Sequence, residues 1–467
     1  MQYISTRGKA PILDFNDVLL AGLASDGGLY LPKSWPQFDA SFIREMRDLN
    51  YAELAVRVMT PFLGGQIAPG AFADIVDETF RGFSHSAVAP LKQLEADLWL
   101  MELFHGPTLS FKDYPMQLIG RLFEHVLTQK GERVTIVGAT SGDTGSAAIE
   151  ACRDREAIDV FILFPHGRVS EVQRRQMTTV SASNVYCVAV EGTFDDCQDL
   201  VKAMFADVAF RERTRLSAVN SINWARVAAQ IVYYFHAALS VGAPDRPVSF
   251  SVPTGNFGNV FAAYAAKACG LPIEQLIIGT NSNDILTRFF ATGKLSIGEV
   301  CQTISPSMDI QVSSNFERFL FELYGRDSGL LTEAMADFRR DGQITVSENQ
   351  HDSAADIISA HRLDDEETMA EMARMLQVTG ELIDPHTAIG VAAARECHRG
   401  STPIIAQAAA HPAKFPNAVE KATGIRPQLP TNLGDLLERE ERFTVLANDI
   451  ETVKGLVQEN ITLKGAA

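Results

Sequence analysis

Short apolar runs that break into a glycine- or hydroxyl-rich turn and then a helix constrain this chain more than anything else in it. Residues 133–139, Arg-Val-Thr-Ile-Val-Gly-Ala, pass directly into Thr140-Ser141-Gly142-Asp143-Thr144-Gly145, which opens a helical pattern. Runs at 159–165 and 185–190 behave the same way, with a polar helix over 172–176 and a helix over 195–210. Further runs lie at 247–253, 275–280 and 403–406; the first ends in Gly255-Asn256-Phe257-Gly258-Asn259, with a helix over 261–269. Strands apolar on both faces and alternating with helices predict parallel sheets covered on each side. At 467 residues the chain is too long for one such core.

A strand-like stretch, 97–104, precedes His105-Gly106-Pro107-Thr108-Leu109-Ser110-Phe111-Lys112-Asp113-Tyr114. Lys112 stands at a turn-to-helix junction between two aromatics. Burial disfavours an ammonium, and a neutral amine can attack a carbonyl to form a Schiff base. The same stretch also fits a surface lysine at a helix start.

Three other stretches bear on chemistry. In 255–259 two glycines allow close backbone approach, and the following helix offers free N–H groups; this suits a phosphate, or is an ordinary strand-to-helix turn. Neither a Gly-Lys-Ser/Thr nor a Gly-x-Gly-x-x-Gly pattern is present, which argues against nucleotide loops of those kinds. The 140–145 turn reads as a helix cap or as a seat for a carboxylate. Asn220, Ser221, Asn223 and Arg226 precede an apolar helix running through Tyr234. They read as a capped helix with a surface arginine or as an anion site, since arginine suits bidentate phosphate recognition. Ser313-Ser314-Asn315-Phe316-Glu317-Arg318 is similar.

The formal net charge of −17 argues against nucleic acid or an anionic membrane as partner. No apolar run reaches membrane-spanning length and the N-terminus has no apolar signal core. Six scattered cysteines without Cys-x-x-Cys fit a reducing, cytoplasmic setting, and no metal-ligand spacing is found. Neither His-Glu-x-x-His nor Gly-x-Ser-x-Gly occurs, and His236 reads as core. Residues 1–90 read as short helices, with Leu54, Val58 and Phe62 on one face of 51–63 and Pro61 kinking or ending that helix. Asp364 to Glu367 read as a solvated helix face. An edge strand and a short helix are expected from about 442.

One cofactor accounts for the lysine, the glycine turn and the anion seats together: pyridoxal 5'-phosphate. At these residues the chain resembles threonine synthases. The matching segments are His105-Gly106-Pro107-Thr108 with Phe111-Lys112-Asp113, Gly138 to Gly145, and Pro253 to Asn259. Asn220 to Arg226, His411-Pro412-Ala413-Lys414-Phe415 and Asp26 to Pro32 also match. The likeness spans essentially the whole chain and is nearest the longer bacterial and fungal branch. It implies an α/β fold like the tryptophan synthase β chain, with two parallel or mixed sheets flanked by helices and a mainly helical N-terminal segment. The expected domains are 1–90, a large cofactor-binding domain of 91–125 with 222–467, and a small α/β domain of 126–221.

The resemblance implies the reaction of O-phospho-L-homoserine and water to L-threonine and phosphate. Lys112 would be catalytic and hold the cofactor. Asp143 would lie near the cofactor's phenolic oxygen, and Gly255, Asn256, Phe257, Gly258 and Asn259 would hold its phosphate. Asn220, Ser221 and Arg226, with Asn315 and Arg318 behind them, would receive the substrate phosphate; Thr140, Ser141 and Thr144 would receive the carboxylate. The chain would act on this small molecule as a monomer or homodimer. Two positions depart from common family patterns. Shorter relatives carry Asn where Asp143 stands, and many members carry Thr at Ala409, whose hydroxyl meets the pyridine nitrogen; water or Gln407 would replace it. Alternatives are a phospholyase of the same fold releasing 2-ketobutyrate, or a non-catalytic binding protein; an NAD-binding Rossmann protein lacks the glycine fingerprint.

Overall fold

The structure, a computed structural model, describes residues 1–217 and 221–462. The chain divides into two compact units. The first comprises Met1–Leu19, Leu23–Phe111 and Ser221–Pro427. Its sheet has six strands, in the spatial order Ile358–Arg362, Ile273–Thr280, Val248–Pro253, Ile404–Ala408, Leu98–Glu102 and Leu91–Gln93. All neighbours are parallel except the last pair, which is antiparallel. Every residue of Val248–Pro253 and Ile404–Ala408 is buried, as the unbroken apolar runs require.

Helix Pro385–Cys397 packs backbone-close on this sheet. Ser251 Oγ donates to the Gly390 carbonyl at 2.6 Å. A Cβ on Gly279 would lie 2.8 Å from the Ile389 carbonyl oxygen, so the approach needs glycine there. Leu98, Leu100, Ile277, Ile404 and Ala406 from the strands join Ala388, Val391, Met372 and Met375 from helices in one core.

The N-terminal segment pairs Tyr3–Ser5 with Tyr30–Pro32 antiparallel. Helix Tyr51–Leu63 starts on an Asn50–Glu53 capping box and buries Leu54, Val58 and Phe62. Pro61 falls in its last turn, and the helix stops at Gly64, φ 59°.

The second unit comprises Leu20–Gly22, Lys112–Asn220 and Gln428–Ala467. Its five strands run Thr444–Ala447, Val185–Glu191, Ile158–Pro165, Val134–Ala139, Leu216–Ser217, all parallel. Phe161, Leu163, Val188 and Val190 form a core with Cys197, Leu200, Met204, Val453 and Val457. The helix expected over 195–210 is two helices, Phe194–Ala206 and Val208–Thr214. The break is at Asp207, whose carboxylate accepts the Phe210 N–H at 3.0 Å and so starts the second helix.

The division differs from the sequence expectation. A boundary at 125/126 would cut helix Asp113–Lys130, one unbroken element that belongs to the second unit. The C-terminal strand pairs with Val185–Glu191, so residues from 428 leave the large domain. Residues 1–90 do not cluster alone. Arg7 pairs with Glu317 at 2.9 Å, and the Arg318 guanidinium donates twice to the Tyr30 carbonyl, at 2.9 and 2.8 Å.

Candidate active site

In the second unit the site begins at Lys112, which precedes helix Asp113–Lys130 and is 8% exposed. Its Nζ donates to Asp143 Oδ2 at 3.2 Å. Asp143 is the first residue of helix Asp143–Cys152 and is also buried. Its Oδ1 accepts from Gln173 Nε2 at 2.8 Å. Thr140 Oγ1 accepts the Gly142 and Gly145 N–H groups at 2.9 and 2.8 Å, so this hydroxyl shapes the loop as a cap does. Ser141 and Thr144 are half-buried beside it.

In the first unit, helix Gly258–Ala268 starts where 255–259 ends. Phe257 takes a left-handed conformation, φ 61°, and its ring packs at 5.0 Å on Phe316 and 5.6 Å on Phe319. Those contacts hold a conformation that a bulky residue rarely adopts. The first intrahelical bond is Phe261 N–H to Phe257 C=O. The N–H groups of Gly258, Asn259 and Val260 therefore lie beyond the helix's own carbonyls, at the positive end of its dipole. A Cβ on Gly255 would lie 2.9 Å from the Ser307 carbonyl oxygen, which makes this a second position needing glycine.

Arg226, in the first turn of helix Trp224–Ser240, is 5% exposed. Its Nη1 has no hydrogen-bond partner among the described residues. Burial pulls its pKa down to about 10. A guanidinium held out of water without a counter-charge is costly, and an incoming anion would relieve that cost.

The lysine segment is stitched to the chain that follows strand Ile404–Ala408. The Phe111 N–H donates to the Ala409 carbonyl at 2.9 Å, and the His411 N–H to the Leu109 carbonyl at 3.0 Å. The fully buried Lys414 donates through Nζ to the Thr108 carbonyl at 2.5 Å. Leu109 sits at φ 63°, and the bonds on either side of it hold that conformation.

With this geometry stand three family matches: threonine synthase N terminus over residues 2–80, pyridoxal-phosphate dependent enzyme over 85–405, and threonine synthase, C-terminal, over 387–457. A threonine synthase of Pseudomonas aeruginosa is 56% identical over 462 residues, covering 98% of each chain. The chain belongs to the threonine synthase family. Its structure superposes on a PLP-bound threonine synthase from Brucella melitensis with a TM-score of 0.97 at 55% identity, covering 98% of this chain and 99% of that one. For the yeast threonine synthase the TM-score is 0.93 at 37% identity, covering 98% of each chain. The expected fold class, the pyridoxal phosphate dependence and the expected activity are those of this family.

Against that family background the predicted residues fall into two groups. Lys112 and Asp143 meet directly. Ser221, Asn256, Ser314 and Asn315 also meet: Asn315 Nδ2 donates to the Ser221 and Asn256 carbonyls at 3.0 Å each, and Ser314 Oγ donates to Asn256 Oδ1 at 3.0 Å. Asn220 lies outside the described residues.

Arg318 and Asn315 do not offer free donors to a substrate. Both are fully buried. Arg318 spends its guanidinium on the Tyr30 and Ile222 carbonyls and on Asn315 Oδ1. They brace the 221–222 and 256 loops from behind. The Asn259 side chain is likewise occupied: its Oδ1 accepts from Tyr233 and Tyr234 at 2.5 and 2.8 Å, and its Nδ2 donates to Gln407 Oε1 at 2.5 Å. That leaves its backbone N–H for an anion. Gln407 is fully buried and its Oε1 accepts from Asn259, while the Ala409 N–H donates to Thr387 Oγ1 at 3.0 Å. Gln173 was not among the predicted site residues. A glutamine in a polar helix carries no signal in sequence, and only the fold sets it on Asp143.

Proposed function

We propose that Lys112 holds the pyridoxal phosphate aldehyde and that the N–H groups of the 255–259 turn hold its phosphate, for conversion of O-phospho-L-homoserine and water to L-threonine and phosphate. Asp143 would face the cofactor's phenolic oxygen. Arg226 and Ser221, with Asn220, receive the substrate phosphate; Thr140, Ser141 and Thr144 surround the carboxylate. Bound there, the cofactor supplies an electron sink for carbanion chemistry at the substrate Cα. Lys112 takes and returns the proton at Cα and takes one from Cβ. Overall, the γ C–O bond breaks and phosphate leaves with the bonding pair, Cβ loses one hydrogen and Cγ gains one, and the hydroxyl of water ends on Cβ.

The observation that carries a phosphorylated substrate is the buried, incompletely partnered Arg226 guanidinium. The test is an assay of purified holoenzyme with O-phospho-L-homoserine, measuring L-threonine, phosphate and keto acid. Equal threonine and phosphate are expected. 2-Ketobutyrate as the main product would instead make the chain a phospholyase, and a colourless protein without bound cofactor would make it a non-catalytic binding protein. We read the chain as acting in the cytoplasm as a monomer or homodimer. The six cysteines, none in a disulfide, support the first point, and sedimentation tests the second. Among the described residues no helix is long and apolar enough to cross a membrane.

A further inference from the structure

We propose that Gln173 is a positioning residue for the reaction: its amide fixes the Asp143 carboxylate, and through it the Lys112 amine. The inference rests on Lys112 being the cofactor lysine. Three observations carry it.

The first is the chain of bonds. Ser170 Oγ donates to Gln173 Oε1 at 2.9 Å, Gln173 Nε2 donates to Asp143 Oδ1 at 2.8 Å, and Lys112 Nζ donates to Asp143 Oδ2 at 3.2 Å. A carboxylate only accepts, so the amide must present its NH₂ to Asp143 and its oxygen to Ser170. With one oxygen held by the amide, the other is left aimed at the lysine. Gln173 is 2% exposed, so water does not compete for the bond.

The second is the anchoring of the helix that carries Gln173. Ser170 caps helix Glu171–Thr178. Arg174 makes a two-pronged bond to Glu441 at 2.8 and 2.9 Å, and Thr178 Oγ1 adds a third at 2.8 Å. A donor on a rigid element sets the angle of its acceptor more sharply than one on a loop.

The third is the space reserved for the amide. Gly142, at φ 140°, precedes Asp143, and a Cβ there would lie 2.6–2.8 Å from the Gln173 amide atoms. The loop can pass the glutamine only as glycine. A packing role for Gln173 would need the volume of its side chain; the role proposed here needs the NH₂.

The test uses holoenzyme carrying Gln173→Met, Gln173→Glu or Gly142→Ala, read by visible circular dichroism of the bound coenzyme, by kcat and KM separately, and by borohydride labelling with peptide mapping. Gln173→Met is expected to lower kcat roughly tenfold to a hundredfold with KM little changed, and to alter the visible dichroism. Gln173→Glu keeps the shape but sets an acceptor against an acceptor, so it should be worse than Gln173→Met. Gly142→Ala, which keeps the glutamine but displaces it, should show the same dichroic change. Wild-type kcat and dichroism in Gln173→Met, or a milder effect from Gln173→Glu, would reduce Gln173 to packing. A wild-type label on a lysine other than Lys112 would overturn the cofactor reading itself, whatever the variants do.

Discussion

Lys112 Nζ and Asp143 Oδ2 lie 3.2 Å apart, and both side chains are buried. A buried pair of this kind contributes little net stability while intact, because both charges have left water, but losing one partner is costly. Asp143→Leu should therefore destabilise the cofactor-free protein by about 3 kcal/mol. Lys112→Met with Asp143→Leu should recover most of that loss. Urea unfolding of both single variants and the double variant gives the coupling directly. A double-variant loss equal to the sum of the two single losses would mean the pair is not coupled.

Arg226 has the opposite character: a buried charge lacking one partner, which costs stability until an anion arrives. Arg226→Met should leave the unliganded protein as stable or more so. It should also abolish stabilisation by inorganic phosphate and raise KM for O-phospho-L-homoserine. Thermal unfolding with and without phosphate tests this, since a ligand stabilises only the state that binds it. A wild-type phosphate shift in the variant would move the anion site elsewhere.

These two positions also mark what the sequence made legible. Strands apolar on both faces announce parallel sheets without any knowledge of neighbours, so Val248–Pro253 and Ile158–Pro165 were found where they are. The turn at 255–259 and the helix after it were legible because two glycines close an apolar run there. Arg226 and Arg318 sit in similar polar clusters, yet one keeps an unpartnered nitrogen and the other is spent on carbonyls. What separates them is Tyr30, remote in sequence. The strand Thr444–Ala447 was expected as an edge, but its partner Val185–Glu191 is a long-range choice that no local pattern specifies.

Asn259 ties two helices and a strand together through one side chain, bonded to Tyr233, Tyr234 and Gln407. Asn259→Ala removes three bonds at once and leaves buried polar groups unsatisfied. A loss of about 2–4 kcal/mol is expected, since each stranded group costs roughly 1–3 kcal/mol before relaxation. Because helix Gly258–Ala268 starts here, cofactor affinity should fall with stability. Equilibrium dialysis and urea unfolding on the same preparation test both. Lost stability with unchanged affinity would separate the side-chain brace from the phosphate seat.

Burial lowers the His236 pKa from 6.5 to about 4; for His411 burial, followed by the nearby His105, lowers it likewise to about 4. The folded protein thus binds fewer protons at these sites than the unfolded chain between pH 4 and 6.5, and stability rises with pH across that window. Their contribution is fully present above pH 6.5, falls as pH drops toward 4, and changes no further below it. Each histidine should account for about 3 kcal/mol across the window. His236 packs edge-on against the Tyr51 ring at 5.2 Å, so an apolar replacement keeps the contact while removing the titration. His236→Leu should flatten the pH dependence of urea unfolding between pH 6.5 and 4 by about half of the histidine share, with little change at pH 8. An unchanged slope would mean that His236 titrates alike in the folded and the unfolded chain.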